Sequence, residues 1–315
     1  MKLVSIPANP APPEASCGAL KTPDGVTLRV ARWAPPPGRK GTVCLFQDRG
    51  DFIEKHFELV ADLRRRGFAV ATIDFRGQGL SQRRLRDPRK GHVRRFSDYL
   101  TDLETFVKEV LLPDCPPPYF ALGLGMGGTV LIESAARGHR WFDRVVATAP
   151  LIDLAHRPLR GAGGTILRAM RLAGLGGRYV PGGGGEPLAA APFADNPLTS
   201  DAVRFARTAA VLAEEPALGV GAPTVAWADS AFRTMAAMRA PSYAARLRQP
   251  MLLIAAGADT IASTAAIETF GIGLRAGSHL IVPGARHDLP MEQDRFRELF
   301  LAAFDAFVPG TPLYK

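Results

Sequence analysis

Residues 119–130 read Tyr-Phe-Ala-Leu-Gly-Leu-Gly-Met-Gly-Gly-Thr-Val. This is an apolar run, a glycine-dense turn, and the opening of a second apolar stretch. Continuous apolar residues ahead of the turn predict a strand buried on both faces, and the residues after it predict a helix. The turn has the spacing G-x-S-x-G at Gly123, Leu124, Gly125, Met126 and Gly127. Such a turn folds sharply and lifts its middle side chain above the edge of a sheet, with small neighbours making the tight backbone feasible. The middle position here is Gly125, which has no side chain to lift.

Outward from the turn, short apolar runs recur at Thr42–Phe46, Ala69–Ile73, Val145–Ala149, Met251–Ala256 and His279–Val282. Val26–Trp33 alternates instead, as a half-buried antiparallel strand does. Helical spacing of apolar residues fills the intervals. Phe57, Val60 and Ala61, beside Leu59 and Leu63, predict a helix over Glu54–Arg66 that Gly67 stops, and Phe96–Leu111 repeats the pattern. Strand–helix alternation predicts a doubly wound, mostly parallel α/β sheet. Residues 1–18 read as an irregular, proline-rich lead-in, and Pro35–Gly38 as a turn. The alternation breaks over 153–248, too long for a plain loop, and helical stretches at Ile166–Leu175 and Ala202–Leu212 suggest an inserted helical cap. The core is then 19–152 with 249–315. Glycine clusters at Gly161–Gly164, Gly174–Gly177 and Gly182–Gly185 read as helix ends and joints.

Composition narrows the function classes. At 315 residues with 47% hydrophobic and 22% charged residues, the chain is an ordinary globular one. Cys17, Cys44 and Cys115 have neither metal-ligand spacing nor the number for a disulfide framework, which favours a reducing, cytoplasmic setting, and no metal site is implied. No run reaches the roughly 20 apolar residues of a membrane span. The formal charge of +9, with arginine clusters at Arg64–Arg66 and Arg83–Lys90, suits a solvated basic surface or peripheral contact with an anionic membrane. No nucleic-acid motif accompanies it, so nucleic acid is not expected as a partner.

Two residues stand where partners of the turn are expected. Asp259 follows the run Met251–Ala256, and His287 follows His279–Val282. An acid and then a histidine, in that chain order behind such a turn, can form a proton-transfer pair in which Asp259 holds the tautomer of His287. The residue after the turn's centre, Met126, lends a backbone N–H to an oxyanion hole.

These stretches resemble the lysophospholipase and monoacylglycerol lipase-like group of α/β-hydrolases over nearly the whole chain. The resemblance runs through Asp51–Lys55, Gly67–Asp74, Arg76–Ser81, Phe96–Tyr99 with Asp102, Met126–Gly128 and Gly284–His287. It implies an eight-stranded sheet, a helical cap, and hydrolysis of lipid-like esters without a cofactor. It makes Ser81 part of a structural turn and assigns an oxyanion N–H to Arg49. The chain departs from the group at the turn, where Leu124-Gly125 replaces His-Ser, and after the third strand, where Gln47-Asp48 replaces a His-Gly or Gln-Gly pair. Asp48 is open to two placements: inward, opposing an oxyanion, or outward, paired with Arg49.

Without a serine hydroxyl there is no acyl-enzyme, and losing a triad member costs about 10⁴–10⁶ in turnover. Three expectations follow from a retained Asp259–His287 pair: His287 activates a water in the space at Gly125, the pocket binds a lipid-like ester or acyl ligand without turning it over, or the pair is unused inheritance. Trp227, Phe232, Met235 and Met238 are candidate wall residues for an acyl pocket or simple cap packing. Restoring Ser at position 125 is the change that asks whether the site is otherwise intact. A different class is dinucleotide binding, since Gly123, Gly125 and Gly128 spell G-x-G-x-x-G. A Rossmann site needs an acidic residue ending the next strand, and Val146–Pro150 supplies none, so this stays a remote alternative.

Overall fold

The computed structural model describes residues 1–35, 40–156 and 162–308. Pro36 to Gly38 of the expected turn, and Gly161 of the first glycine cluster, lie outside the described residues. Eight strands form one sheet: β1 (Ala15–Lys21), β2 (Thr27–Trp33), β3 (Thr42–Phe46), β4 (Ala69–Asp74), β5 (Tyr119–Leu124), β6 (Arg144–Thr148), β7 (Met251–Ala256) and β8 (Gly277–Val282). Their order is β1-β2-β4-β3-β5-β6-β7-β8. The β1–β2 and β2–β4 pairs are antiparallel, and all others are parallel. The doubly wound, mostly parallel α/β sheet expected from the sequence is the sheet observed.

The apolar runs become central strands because both faces are covered. Every residue of β3, β4 and β7 is buried. One core cluster packs the helix Asp98–Phe106 and its extension Val107–Leu111 against one face, through Leu100, Leu103, Phe106, Val107 and Val110. The other face receives the helices Phe57–Arg65 and Asp294–Phe307. In the second of these, Phe296, Phe300 and Phe304 recur at i, i+4 and i+8 and are all buried, about 1.5–3 kcal/mol each.

The structure departs from the sequence reading in several places. The lead-in ends earlier, because Ala15 already begins β1. Its residues are pinned rather than loose: Val4 N–H donates to Glu54 Oε1 (3.0 Å), and the Asn9 side chain donates to the Glu54 carbonyl (2.8 Å). β2 is more than half buried, since β1 and β4 flank it. The helix expected from Phe96 starts at Asp98 and finishes in a wider turn, with the apolar stripe still facing the core.

Between β6 and β7 the chain leaves the sheet and forms the helices Ala162–Met170, Ala202–Glu214, Val225–Met238 and Pro241–Ala245. The second is capped by Asp201, whose carboxylate accepts from Arg204 N–H (2.9 Å). The third joins the core cluster through Val225, Trp227, Ala231 and Met235, and Trp227 Nε1 donates to the Tyr99 hydroxyl (2.9 Å).

Several charges are structural, among them Arg83 of a cluster read as basic surface in the sequence. Arg29 is fully buried between Glu54 (2.6 Å) and Asp74 (2.7 Å). Arg76 joins Asp102 (2.7 Å) to Asp24 (2.7 Å). Arg83 turns inward onto the carbonyls of Gly77 and Gly79. Ser81 donates to the Asp74 carbonyl (2.5 Å) and accepts from Arg29 N–H (2.8 Å), so it serves the turn.

Candidate active site

Strand register decides which loops meet. In the β3–β5 ladder Phe46 lies opposite Gly123. Two residues further on, at the carboxyl end of the sheet, Asp48 therefore faces Gly125. The turn at Gly125 has φ +46° and ψ −112°, a left-handed geometry that costs an L-residue of order 1–3 kcal/mol and glycine almost nothing. The backbone around it is tight. A Cβ on Gly127 would lie 2.3 Å from the Phe46 carbonyl oxygen, and one on Gly123 would lie 2.6 Å from Gly128 Cα. The helix Met126–Ala136 starts directly from this turn.

Asp259 and His287 come together at the ends of β7 and β8. His287 donates from Nδ1 to Asp259 Oδ2 (2.7 Å), while Asp259 Oδ1 accepts from the N–H groups of Ile261 (2.7 Å) and Ala262 (3.0 Å). The Asp259 side chain is fully buried, and these three hydrogen bonds hold it against the imidazole.

The space beside Gly125 belongs to Asp48. Its Oδ2 accepts from His287 Nε2 (3.0 Å), and its Oδ1 accepts from Met126 N–H (2.6 Å). A Cβ added to Gly125 would lie 2.1 Å from Asp48 Cγ. Of the two placements open from the sequence, the inward one is observed, and the outward pairing with Arg49 is corrected. The Asp48 carboxylate takes the hydrogen bond of His287 Nε2 that an activated water would use. Arg49 instead sends its guanidinium to the Gly221 carbonyl and over the Trp227 ring, 5.2 Å from its centroid.

Electrostatics follow from this chain of groups. Burial disfavours a charged imidazole, yet the hydrogen bonds and charges of Asp259 and Asp48 outweigh it and lift His287 to about 10. His287 is thus an imidazolium at neutral pH, a donor on both sides and a poor general base. Two carboxylates and one imidazolium leave the site with one net negative charge. The Met126 N–H, the oxyanion donor expected from the sequence, already holds a carboxylate. The same carboxylate occupies the helix N-terminus that a dinucleotide phosphate would use, which removes the structural basis of that alternative.

An expected result arises here. The His287 ring nitrogens, followed by ¹H–¹⁵N NMR, should report imidazolium at pH 8 and titrate near pH 10, and Asp48→Asn should lower that midpoint by about 1–3 units. The sign for stability is that of a histidine raised on folding. The stabilisation is complete below about pH 6.5 and is lost as pH rises through about 10. A neutral His287 at pH 8 would overturn the assignment.

Charged residues without an assigned role in the sequence reading turn out to brace the loops. Lys55 bridges Asp51 and Asp288 (2.6 Å to Asp288), tying the segment after β3 to the residue beside His287. Desolvation opposes its charge, but the two carboxylates hold Lys55 well above the ordinary lysine range. The sequence signals were the family resemblance of Asp51–Lys55 and the density of ionisable residues in Asp51–His56. Gln78 accepts from Gly50 N–H and points its amide nitrogen at Met126 Sδ (3.7 Å).

Two cavities adjoin. One of about 420 Å³ is lined by Asp48, Arg49, Asp51, Lys55 and Pro223. Another of about 380 Å³ is apolar and is lined by Trp227, Phe232, Met235, Ile166, Leu167 and again Pro223. Three of the candidate wall residues therefore border one cavity, while Met238 packs in the core.

The family model Hydrolase_4, described as serine aminopeptidase, S33, matches residues 37–294. The chain belongs to this family. Lysophospholipase L2 of Escherichia coli (strain K12) is 31% identical over 293 residues, covering 90% of this chain and 84% of the relative. The probable lysophospholipase L2 of Haemophilus influenzae is 25% identical over 275 residues, covering 87% and 85%. Among solved structures, a soluble variant of monoglyceride lipase from Saccharomyces cerevisiae superposes with a TM-score of 0.71 at 20% identity, covering 98% of each chain. At that identity the likeness carries the fold alone. Within the family, the chain is a lysophospholipase-like α/β-hydrolase by sequence and by sheet topology.

Proposed function

We propose that this chain binds a lipid-like ester or acyl ligand and has lost serine-type ester hydrolysis. One observation carries the reading: the Asp48 carboxylate fills the nucleophile's place beside Gly125 and also takes the Met126 N–H. A carboxylate on an oxyanion donor does more than remove one hydrogen bond, because its charge opposes the charge that develops in acyl transfer. The acyl ligand is supported by the apolar cavity bordered by Trp227, Phe232 and Met235 and by the lysophospholipase names of the relatives. Contact with an anionic membrane surface belongs to the same reading, supported by the charge of +9. A cytoplasmic location does too, supported by the free state of all three cysteines; no helix among the described residues is long and apolar enough to cross a membrane.

The test measures hydrolysis and binding side by side. Wild-type protein should release p-nitrophenol from p-nitrophenyl octanoate no faster than buffer and resist labelling by a fluorophosphonate probe. It should nevertheless bind dansyl-undecanoic acid saturably, and Phe232→Arg should weaken that binding about tenfold or more by placing a charge in the apolar wall. Turnover at ordinary enzymatic rates, about 1 s⁻¹ or faster, would sink the loss of hydrolysis. Unsaturable dansyl fluorescence would sink the ligand.

A further inference from the structure

Away from Asp48, five arginines converge on one open cleft of about 450 Å³: Arg95, Arg137, Arg171, Arg233 and Arg246. They come from separate places in the chain. Arg95 precedes the helix Asp98–Phe106, Arg137 ends the helix Met126–Ala136, and Arg171 follows the helix Ala162–Met170. Arg233 lies on the helix Val225–Met238, and Arg246 ends Pro241–Ala245. Folding brings them together.

Only two carboxylates answer them. Glu133 pairs with Arg137 (3.1 Å), and Asp229 is shared by Arg171 and Arg233, the latter at 3.4 Å. Five positive charges against two negative ones leave an excess of three. Arg95 and Arg246 form no ion pair among the described residues, and the Arg246 guanidinium lies over the Tyr243 ring, 4.2 Å from its centroid. Arg171 is fixed a second time by donating to the Arg94 carbonyl (2.9 Å). The cleft therefore offers guanidinium groups already held in place, those of Arg171 and Arg246, with the hydroxyls of Ser97 and Thr234 among the lining groups, while the Ser230 hydroxyl donates to the Trp227 carbonyl (2.8 Å). Planar, preorganised forks of this kind match phosphate oxygens bidentately, and like charges gathered in one concavity are relieved by a multivalent anion.

We propose that this cleft is a binding site for a phosphate-bearing anion, distinct from the Asp48 site and independent of the reading given for it. Its position gives binding a consequence. The helix Val225–Met238 turns Ser230, Arg233, Thr234 and Ala237 to the cleft and Trp227, Ala231, Phe232 and Met235 to the apolar cavity. One helix walls both spaces, so an anion that draws Arg233 inward acts on the wall of the other.

Thermal unfolding of the full chain tests this with sodium pyrophosphate against sodium chloride at equal ionic strength. Wild type should show a saturable rise in Tm of about 3 °C or more with pyrophosphate alone. Arg233→Gln with Arg246→Gln, both exposed positions, should lose that rise while keeping the wild-type circular dichroism spectrum. Arg233→Lys with Arg246→Lys should recover only part of it, since charge without the fork is insufficient. Sedimentation with phosphatidylglycerol and with phosphatidylcholine vesicles separates the sources of phosphate. Selective binding to the former that the Gln variant loses assigns a lipid headgroup, whereas equal sedimentation of wild type and variant beside a lost Tm response assigns a soluble phosphate compound. Identical pyrophosphate responses in wild type and the Gln variant, with identical sedimentation, overturn the site.

Discussion

Gly125→Ser alone is expected to remain inactive towards p-nitrophenyl esters, and Gly125→Ser combined with Asp48→Gly is expected to exceed it by about 10³–10⁴-fold. The single change fails for a steric reason and an electrostatic one. The new Cβ meets Asp48 Cγ at 2.1 Å, and Asp48 is held by both Met126 N–H and His287. If Asp48 stays, the serine has no room. If Asp48 swings aside, both hydrogen bonds break and a carboxylate remains close to the developing oxyanion. Removing Asp48 as well frees Met126 N–H, returns His287 towards an ordinary histidine, and leaves Asp259 to orient it. The gain corresponds to about 4–5.5 kcal/mol of transition-state stabilisation. Steady-state assays of the four variants in one cycle decide the matter. Equal rates for the single and double variants would show that Asp48 is not the block, and a folded but inactive double variant would show that more than these two positions has diverged.

The second large effect is on stability. Arg29→Met should lower the unfolding free energy by about 3–5 kcal/mol, read from urea midpoints, because it leaves Glu54 and Asp74 facing each other without their shared cation. All three side chains are fully buried, so water cannot compensate. Burial already raises the Asp74 carboxyl above its usual range despite Arg29. Without the guanidinium it should rise further. A carboxyl raised in the folded state binds protons there at pH values where the unfolded chain has released them, so the deficit should be smaller at pH 5 than at pH 8. A loss below about 1 kcal/mol at pH 8 would mean that the pair relaxes into contact with solvent.

The sheet was largely legible because its central strands are apolar on both faces, and that pattern needs no tertiary information. β1 escaped notice because Ala-Ser-Cys-Gly-Ala-Leu-Lys is an edge strand with one buried residue, placed by pairing with β2 rather than by its own hydrophobicity. Asp259 and His287 could be proposed as partners because each follows a recognisable strand. The direction of Asp48 could not, since it depends on space opened 77 positions later in the chain at Gly125. The arginine cleft was invisible for a similar reason. The clusters obvious in the sequence, at Arg64–Arg66 and around Arg83, are spent on ion pairs and carbonyls, whereas the five that converge are scattered from position 95 to 246.

The contact between Asp48 and Gly125 also ties the two positions together in any further change. Serine at 125 and aspartate at 48 in the observed orientation exclude each other, since a Cβ at 125 would lie 2.1 Å from Asp48 Cγ. With both carboxylate oxygens bonded, Asp48 makes the present arrangement a trap for single substitutions: serine at 125 alone meets a wall, and loss of the carboxylate at 48 alone gives up the bonds to His287 and Met126 N–H and supplies no nucleophile. Only a paired change crosses it.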